Sequence, residues 1–226
     1  MGKDKLKRFA ENKIMENVIE PSIKEVLKED NDLKGKWCEY FGNENPIVLE
    51  LACGKGEYTV GMARKYPEKN FIGIDIKGAR MWRGAKTSIE DGMSNVTFLR
   101  TRIEFIDRFF KEDEVSEIWI TFADPHKKKR NAKHRLTHPF FLDKYKPILK
   151  KEGTVNLKSD STFLTDFTFD VIHERGLKVH CQTLDVYGFG KQKFNDELND
   201  ILSIRTFYEK RWIEEGKKIK FIKFSL

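Results

Sequence analysis

The chain has 226 residues, with 43 Lys and Arg against 36 Asp and Glu for a formal net charge of +7, an isoelectric point near 9.1 and a mean hydropathy of -0.60; this length fits one domain with a sizeable core and leaves no room for two full catalytic domains. Aromatic residues at 12% argue against disorder, and there is neither a run of about 18 apolar residues nor an apolar stretch at the charged start Met1-Gly2-Lys3-Asp4-Lys5, which excludes a membrane span and a secretory leader. Three scattered cysteines (Cys38, Cys53, Cys181) and five histidines without ligand spacing fit neither a disulfide framework nor a metal centre, so the expectation is a soluble, cytoplasmic protein whose basic surface meets a polyanion, nucleic acid first among the candidates.

In chain order, residues 1–45 read as a charged N-terminal extension of two amphipathic stretches, closed by Gly42-Asn43-Glu44-Asn45-Pro46. The main domain follows over 46–226. Short apolar runs predict strands at Ile47–Leu51, Phe71–Ile76, Val96–Arg100, Ile118–Phe122 and Thr154–Lys158, separated by helical periods over Tyr58–Tyr66, Arg80–Asp91, Phe105–Phe110, Phe140–Leu149 and Leu164–Glu174. Leu177–Thr183 and Lys218–Ser225 read as two more strands. Between them Gly188-Phe189-Gly190 reads as loop and Ile201–Glu215 as helix. Seven strands in βα alternation, the last pair antiparallel, describe a doubly wound α/β fold with a mostly parallel sheet. Ligands on such sheets bind beyond the carboxyl ends of the strands, where strand order reverses.

The first strand runs into Glu50-Leu51-Ala52-Cys53-Gly54-Lys55-Gly56-Glu57. Closely spaced glycines let a ligand approach the backbone, and the spacing departs from GxGxxG because position 59 is Thr. A nucleoside ligand without a pyrophosphate fits better than a dinucleotide. The second strand ends at Asp75, about 20 residues past the turn, the offset at which a carboxylate accepts hydrogen bonds from ribose hydroxyls. The fourth ends Phe122-Ala123-Asp124-Pro125-His126, with Asp124 surfacing at the ligand crevice. Six cations and no acid then lie in the ten residues from His126 to Arg135. A charge run is usually a solvated face, but this one starts at the rim of the predicted crevice, which favours contact with a phosphate backbone.

These motifs, with Leu157-Lys158-Ser159-Asp160 and Thr206-Phe207-Tyr208-Glu209, resemble the tRNA (guanine-N7-)-methyltransferase family of the single-chain bacterial type, from about residue 45 to the end. The resemblance implies a Rossmann-like, class I S-adenosylmethionine-dependent methyltransferase fold, and S-adenosylmethionine as cofactor. It implies that Glu50, Gly54, Asp75 and Asp124 bind that cofactor, Asp75 at the ribose, and that Asp124 is also the catalytic residue. Where the family has an Asp near the adenine this chain has Arg102, with Glu104 as a possible substitute. Lys128, Asp160 and the segment from Thr206 to Glu209 are implied to contact the tRNA guanosine, and Arg130, Lys133 and Arg135 the tRNA backbone. A variable-loop guanosine as substrate, no obligate protein subunit, and a monomer or weak homodimer follow by the same analogy. Two further departures stand out: Ala52 replaces the first glycine of the turn, and His126 replaces a tryptophan. The main rival readings are a non-catalytic basic RNA-binding module with a vestigial pocket and a nicotinamide-dependent oxidoreductase, the latter disfavoured by the missing third glycine. Thr206 and Glu209 also fit a helix cap with a capping-box acid.

Overall fold

In the computed structural model, which describes residues 2–188 and 194–226, the apolar runs become the strands of one sheet. They are β1 (Val18–Ile19), β2 (Ile47–Leu51), β3 (Asn70–Asp75), β4 (Val96–Arg100), β5 (Val115–Thr121), β6 (Leu149–Ser159), β7 (Val179–Thr183) and β8 (Lys220–Phe224). Their order is β1-β4-β3-β2-β5-β6-β8-β7, parallel from β1 to β6 and antiparallel at β6–β8 and β7–β8. The sheet is thus mostly parallel, with eight strands where the sequence predicts seven. The extra one is β1, whose Val18 and Ile19 pair with Phe98 and Leu99. Two residues are too short to display a strand period.

All five residues of β2 are buried, because helices cover both faces of a parallel sheet. Leu49 and Leu51 enter one core with Ile72, Ile74 and Ile118, while Val48 enters the other with Phe71, Phe98 and Trp119. This is the two-residue alternation of a strand. Glu50, two residues on from Val48, therefore points to the same side of the sheet as Val48.

The helices are α1 (Gly2–Asn12), α2 (Ile23–Lys28), α3 (Trp37–Phe41), α4 (Glu57–Lys65), α5 (Gly78–Glu90), α6 (Pro139–Ile148), α7 (Thr162–Glu174), α8 (Asp196–Leu202) and α9 (Phe207–Glu214). α1 lies on α5, where the Asn12 amide donates to the Gly78 carbonyl at 2.9 Å. Trp37 on α3 is fully buried, donates from Nε1 to the Phe109 carbonyl and stacks on Phe110. The segment predicted as a helix over Phe105–Phe110 is instead a short 3₁₀ helix at Ile103–Arg108. The single helix expected over Ile201–Glu215 is two: α8 ends at Leu202, and Thr206 caps a new helix with Glu209 completing a capping box. From Phe189 onward, the Gly188-Phe189-Gly190 loop lies outside the described residues.

Candidate active site

At the carboxyl end of β2 the Glu50 carboxylate is 1% exposed and receives hydrogen bonds from the hydroxyls of Thr59 on α4 and Thr121 at the end of β5. Burial pushes it up to about 7 against these two hydrogen bonds, and the nearby Asp75 charge adds to the rise. The chain then turns through Ala52, Gly54 and Gly56 at φ of 57°, 59° and 70°. Ala52 thus sits in the left-handed conformation that glycine adopts without strain. A Cβ on Gly56 would lie 2.5 Å from the Phe98 ring, which leaves glycine as the residue that fits there.

The turn is tied to β3. The Cys53 amide donates to the Ile74 carbonyl at 3.1 Å, and the Gly54 amide to one Asp75 oxygen at 2.9 Å. The other Asp75 oxygen accepts from the Lys77 amide at 2.8 Å. Two backbone donors therefore fix the carboxylate before any ligand arrives, leaving its remaining lone pairs for hydroxyl donors.

Gly54, Asp75, Arg102, Glu104 and Asp124 line one cleft of about 630 Å³. It lies where strand order departs from β2 in opposite directions, toward β3 on one side and β5 on the other. Arg102 donates to Glu104 at 3.1 Å, so the two residues share one wall as an ion pair. Glu50 lies behind the turn and lines an adjoining pocket of about 110 Å³ with Thr121, Phe122, Thr206 and Tyr208. Sequence reasoning missed Lys77 and Arg80, which add positive charge to the cleft wall from the start of α5, and Leu136 and Phe141, which add an apolar side. The position of α5 directly after Asp75 was the available signal.

Asp124 stands at the cleft mouth with its side chain 73% exposed. Its Oδ1 accepts from the His126 amide at 3.0 Å, and the loop is shaped by left-handed conformations at Phe122 and His126. His126 lines the cleft beside His134, with ring centroids 5.6 Å apart. Lys127, Lys128, Lys129, Arg130 and Lys133 are exposed on the loop and on a 3₁₀ helix over Lys129–His134. Arg135 differs from them. It is 6% exposed, donates from Nε and Nη2 to the His126 carbonyl, and lies over the Phe163 and Phe167 rings at 4.7 and 4.4 Å. Its guanidinium braces the loop from within.

Asp160 follows β6 directly and is not among the residues lining the cleft. Burial raises its carboxyl, and Lys217, Lys220 and Lys127 oppose that rise. Thr206 caps α9 and Glu209 is its N3 partner. Glu209 is fully buried, and its carboxylate meets the Lys158 ammonium at 2.8 Å and accepts from the Tyr187 hydroxyl at 2.8 Å. Lys158, also fully buried, donates to the Leu202 and Ile204 carbonyls at 2.9 and 3.0 Å. Burial pulls its ammonium down to about 8 although Glu209 pushes the other way. This pair ties the end of β6 to the α8–α9 junction, a function that no residue spacing announces.

A family model described as "Putative methyltransferase" matches residues 44–222. Over 226 residues the chain is 51% identical to the tRNA (guanine-N(7)-)-methyltransferase of Christiangramia forsetii, covering 100% of this chain and 99% of that one. It is also 51% identical over 227 residues to the enzyme of the same name from Bacteroides fragilis, covering 100% and 87%. Among solved structures, a 16S rRNA methyltransferase, KamB, superimposes with a TM-score of 0.63 at 13% identity, covering 88% and 95%. That likeness carries the fold, and the full-length identities carry the rest: the chain belongs to the tRNA (guanine-N(7)-)-methyltransferase family.

Proposed function

We propose that the chain transfers the methyl group of S-adenosylmethionine to N7 of a guanosine in the variable loop of tRNA. One observation carries the reading: a cleft with a preoriented carboxylate at Asp75 opens onto the exposed Asp124, and the cation run leaves from that same loop.

The residues present fit the cofactor. Asp75, held by the Gly54 and Lys77 amides, has the acceptor capacity that vicinal ribose hydroxyls require. Glu50 places a carboxylate behind the turn, where it can take up negative charge when a cationic group approaches. The Arg102–Glu104 pair offers both a donor and an acceptor to a purine edge. When bound, S-adenosylmethionine supplies a methyl group on a sulfonium, an electrophile that needs no activation by the protein.

Guanine N7 carries a free lone pair, so no base is needed to create the nucleophile. Orientation is then the main task, because holding two reactants in line at about 3 to 3.5 Å removes much of the entropic barrier. Asp124 at the mouth accepts hydrogen bonds from the guanine N–H edge, and this interaction strengthens as positive charge develops on the base. Lys128, Arg130 and Lys133, exposed along the loop, hold the backbone. The burial of Arg135 and Glu209 supports bracing roles for them: Arg135 shapes the loop, and Glu209 acts through Lys158 and the Thr206 cap. Asp160, flanked by lysines, borders the same rim. A cytoplasmic monomer or weak homodimer, without an obligate subunit, fits this scheme.

Incubating the protein with labelled S-adenosylmethionine and unmodified tRNA, then cleaving at N7-methylguanosine with borohydride and aniline, tests the proposal. A single cut in the variable loop is expected. Tight tRNA binding with no transfer would instead favour the RNA-binding module with a vestigial pocket.

A further inference from the structure

α1 is a helix with almost nothing to bury. Among its described side chains Asn12 is the one buried, Phe9 and Glu11 are half-buried, and Leu6 is 72% exposed. No apolar stripe holds it, so its place on α5 rests on polar contacts. Beside the Asn12 amide, Trp82 Nε1 donates to the Glu11 carboxylate, and the Arg8 guanidinium donates to the Ala79 carbonyl at 3.5 Å. So short a helix is marginal in water on its own, and this docking decides where its exposed Lys5, Lys7 and Arg8 stand.

α5 supplies a matching row of cations. Arg80, Arg83 and Lys86 recur at every third position, outside the buried stripe of Gly78, Met81, Ala85 and Ser88, and α5 has no acid before Glu90, its last residue. One aromatic ring from each helix gathers the cations. Arg8 and Lys86 lie 4.8 and 5.1 Å from the Trp82 centroid, and Lys5 and Arg100 lie 5.9 and 4.7 Å from that of Phe9. The rings carry the side-chain stems and leave the charged heads toward water. Among the described residues, Lys5, Arg8, Arg80, Arg83 and Lys86 form no salt bridge. Like charges collected in this way attract an anion from outside.

Their position identifies the anion. Arg80 lines the cleft, so the row on α5 begins at the site. α5 follows β3 and the loop over residues 127–133 follows β5, and β3 and β5 lie on either side of β2. Cations therefore leave the cleft in both directions. A nucleotide seated there continues into backbone on both sides, and the 127–133 loop meets only one of them. Resting on the function proposed above, we infer that the outer face of α1 and α5 is a second binding surface for the sugar–phosphate backbone of tRNA, reached where the strand leaves the cleft on the side away from the 127–133 loop. The contact is to phosphate and reads no base, so the surface contributes affinity and register but no chemistry. It also gives a task to α1, which lies outside the 44–222 stretch matched by the methyltransferase family model.

Equilibrium tRNA binding across a salt series, with calorimetry of S-adenosylmethionine and single-turnover transfer at saturating enzyme, tests this on the full chain. Lys5→Glu with Arg83→Glu reverses one charge on each helix. Lys150→Glu with Lys151→Glu makes the same change in net charge on exposed residues near the amino end of β6, at the far edge of the sheet. The first pair is expected to weaken tRNA binding about tenfold or more at about 0.1 M salt and to reduce the log–log salt slope by about one to two units, with cofactor affinity and the saturated transfer rate unchanged. The second pair is expected to stay within about twofold of wild type, because its charges are screened from the bound strand. Lys5→Gln with Arg83→Gln is expected to lower the slope with a smaller loss of affinity, and it decides the question if the reversed pair does not fold. Equal tRNA affinities for the α1–α5 pair and the β6 pair would overturn the inference, leaving net charge alone as the cause. A slower saturated rate at unchanged affinity would also overturn it, by moving these residues into the chemistry. So would loss of binding to phosphatidylglycerol vesicles with tRNA affinity kept, which would make the face a membrane contact. A wild type that methylates no tRNA would remove the proposed function and this inference together, whereas an active wild type with both pairs binding tRNA alike would remove this inference alone.

Discussion

Glu50 is an acid in the middle of an apolar strand, and its position makes a measurable claim about pH. Its carboxyl is raised to about 7 by burial, so between about 4.5 and 7 the folded protein holds a proton that the unfolded chain has released. Stability from this group is complete below about 4.5 and is lost as pH rises through 7, with a ceiling of about 3 kcal/mol. Urea unfolding should therefore show wild type losing stability relative to Glu50→Gln between pH 5 and pH 8; parallel curves would mean that Glu50 is ionised throughout. Binding of a cationic cofactor favours the ionised form, so S-adenosylmethionine affinity should rise over the same interval in wild type and stay flat in Glu50→Gln. Asp124 makes a different claim. It is exposed and accepts a hydrogen bond from the His126 amide of its own loop, so Asp124→Asn should leave stability within about 0.5 kcal/mol of wild type while slowing single-turnover transfer by about tenfold or more. Equal transfer rates would take Asp124 out of the chemistry.

Among the elements, the junction between α8 and α9 is held by a charge pair with no solvent contact. Lys158 at the end of β6 satisfies the Leu202 and Ile204 carbonyls and the Glu209 carboxylate, and Glu209 in turn caps α9 with Thr206. Removing one partner strands a buried charge, so Glu209→Leu alone should cost about 3–5 kcal/mol by denaturant unfolding. Lys158→Met combined with Glu209→Leu should recover a large part of that loss, and additive losses would show that the two residues are not coupled. The contrast shows what a sequence displays. The capping box was legible at Thr206 and Glu209 because its spacing is local, and so were β2 to β5 and the acids at their ends, whose offsets follow from the βα unit. The Lys158 pair was not legible, because a lysine in a strand ordinarily faces water and its partner is on a distant helix. β1 was not legible either, since two residues carry no period and their strand character comes from pairing with β4. Arg135 belongs with these: in a run of cations its burial against Phe163 and Phe167 depends on α7, which follows it in the chain.

At the scale of the molecule, the net charge of +7 is arranged rather than spread. The carboxyl edge of the sheet gathers the cleft, Asp124 and the exposed cations Lys127 to Arg130 on one rim, so under the proposed function a polyanion drawn to the loop meets the mouth of the cleft. Binding of this kind releases counterions, and affinity then falls with salt in proportion to the number of phosphates neutralised. Reversing the charge of Lys127, Lys129 and Arg130 together should weaken tRNA binding and reduce the log–log salt slope by about one unit for each phosphate that is no longer neutralised, with S-adenosylmethionine binding unchanged. Arg135→Gln separates position in the sequence from position in space. Arg135 belongs to the same run of cations, but it is buried under two aromatic rings and bonded to the His126 carbonyl. Its replacement should lower the unfolding free energy by about 1–3 kcal/mol and reduce transfer through a loosened loop, with the salt slope kept. A flattened slope in Arg135→Gln would mean that its guanidinium reaches phosphate when tRNA binds, and that the loop opens to release it.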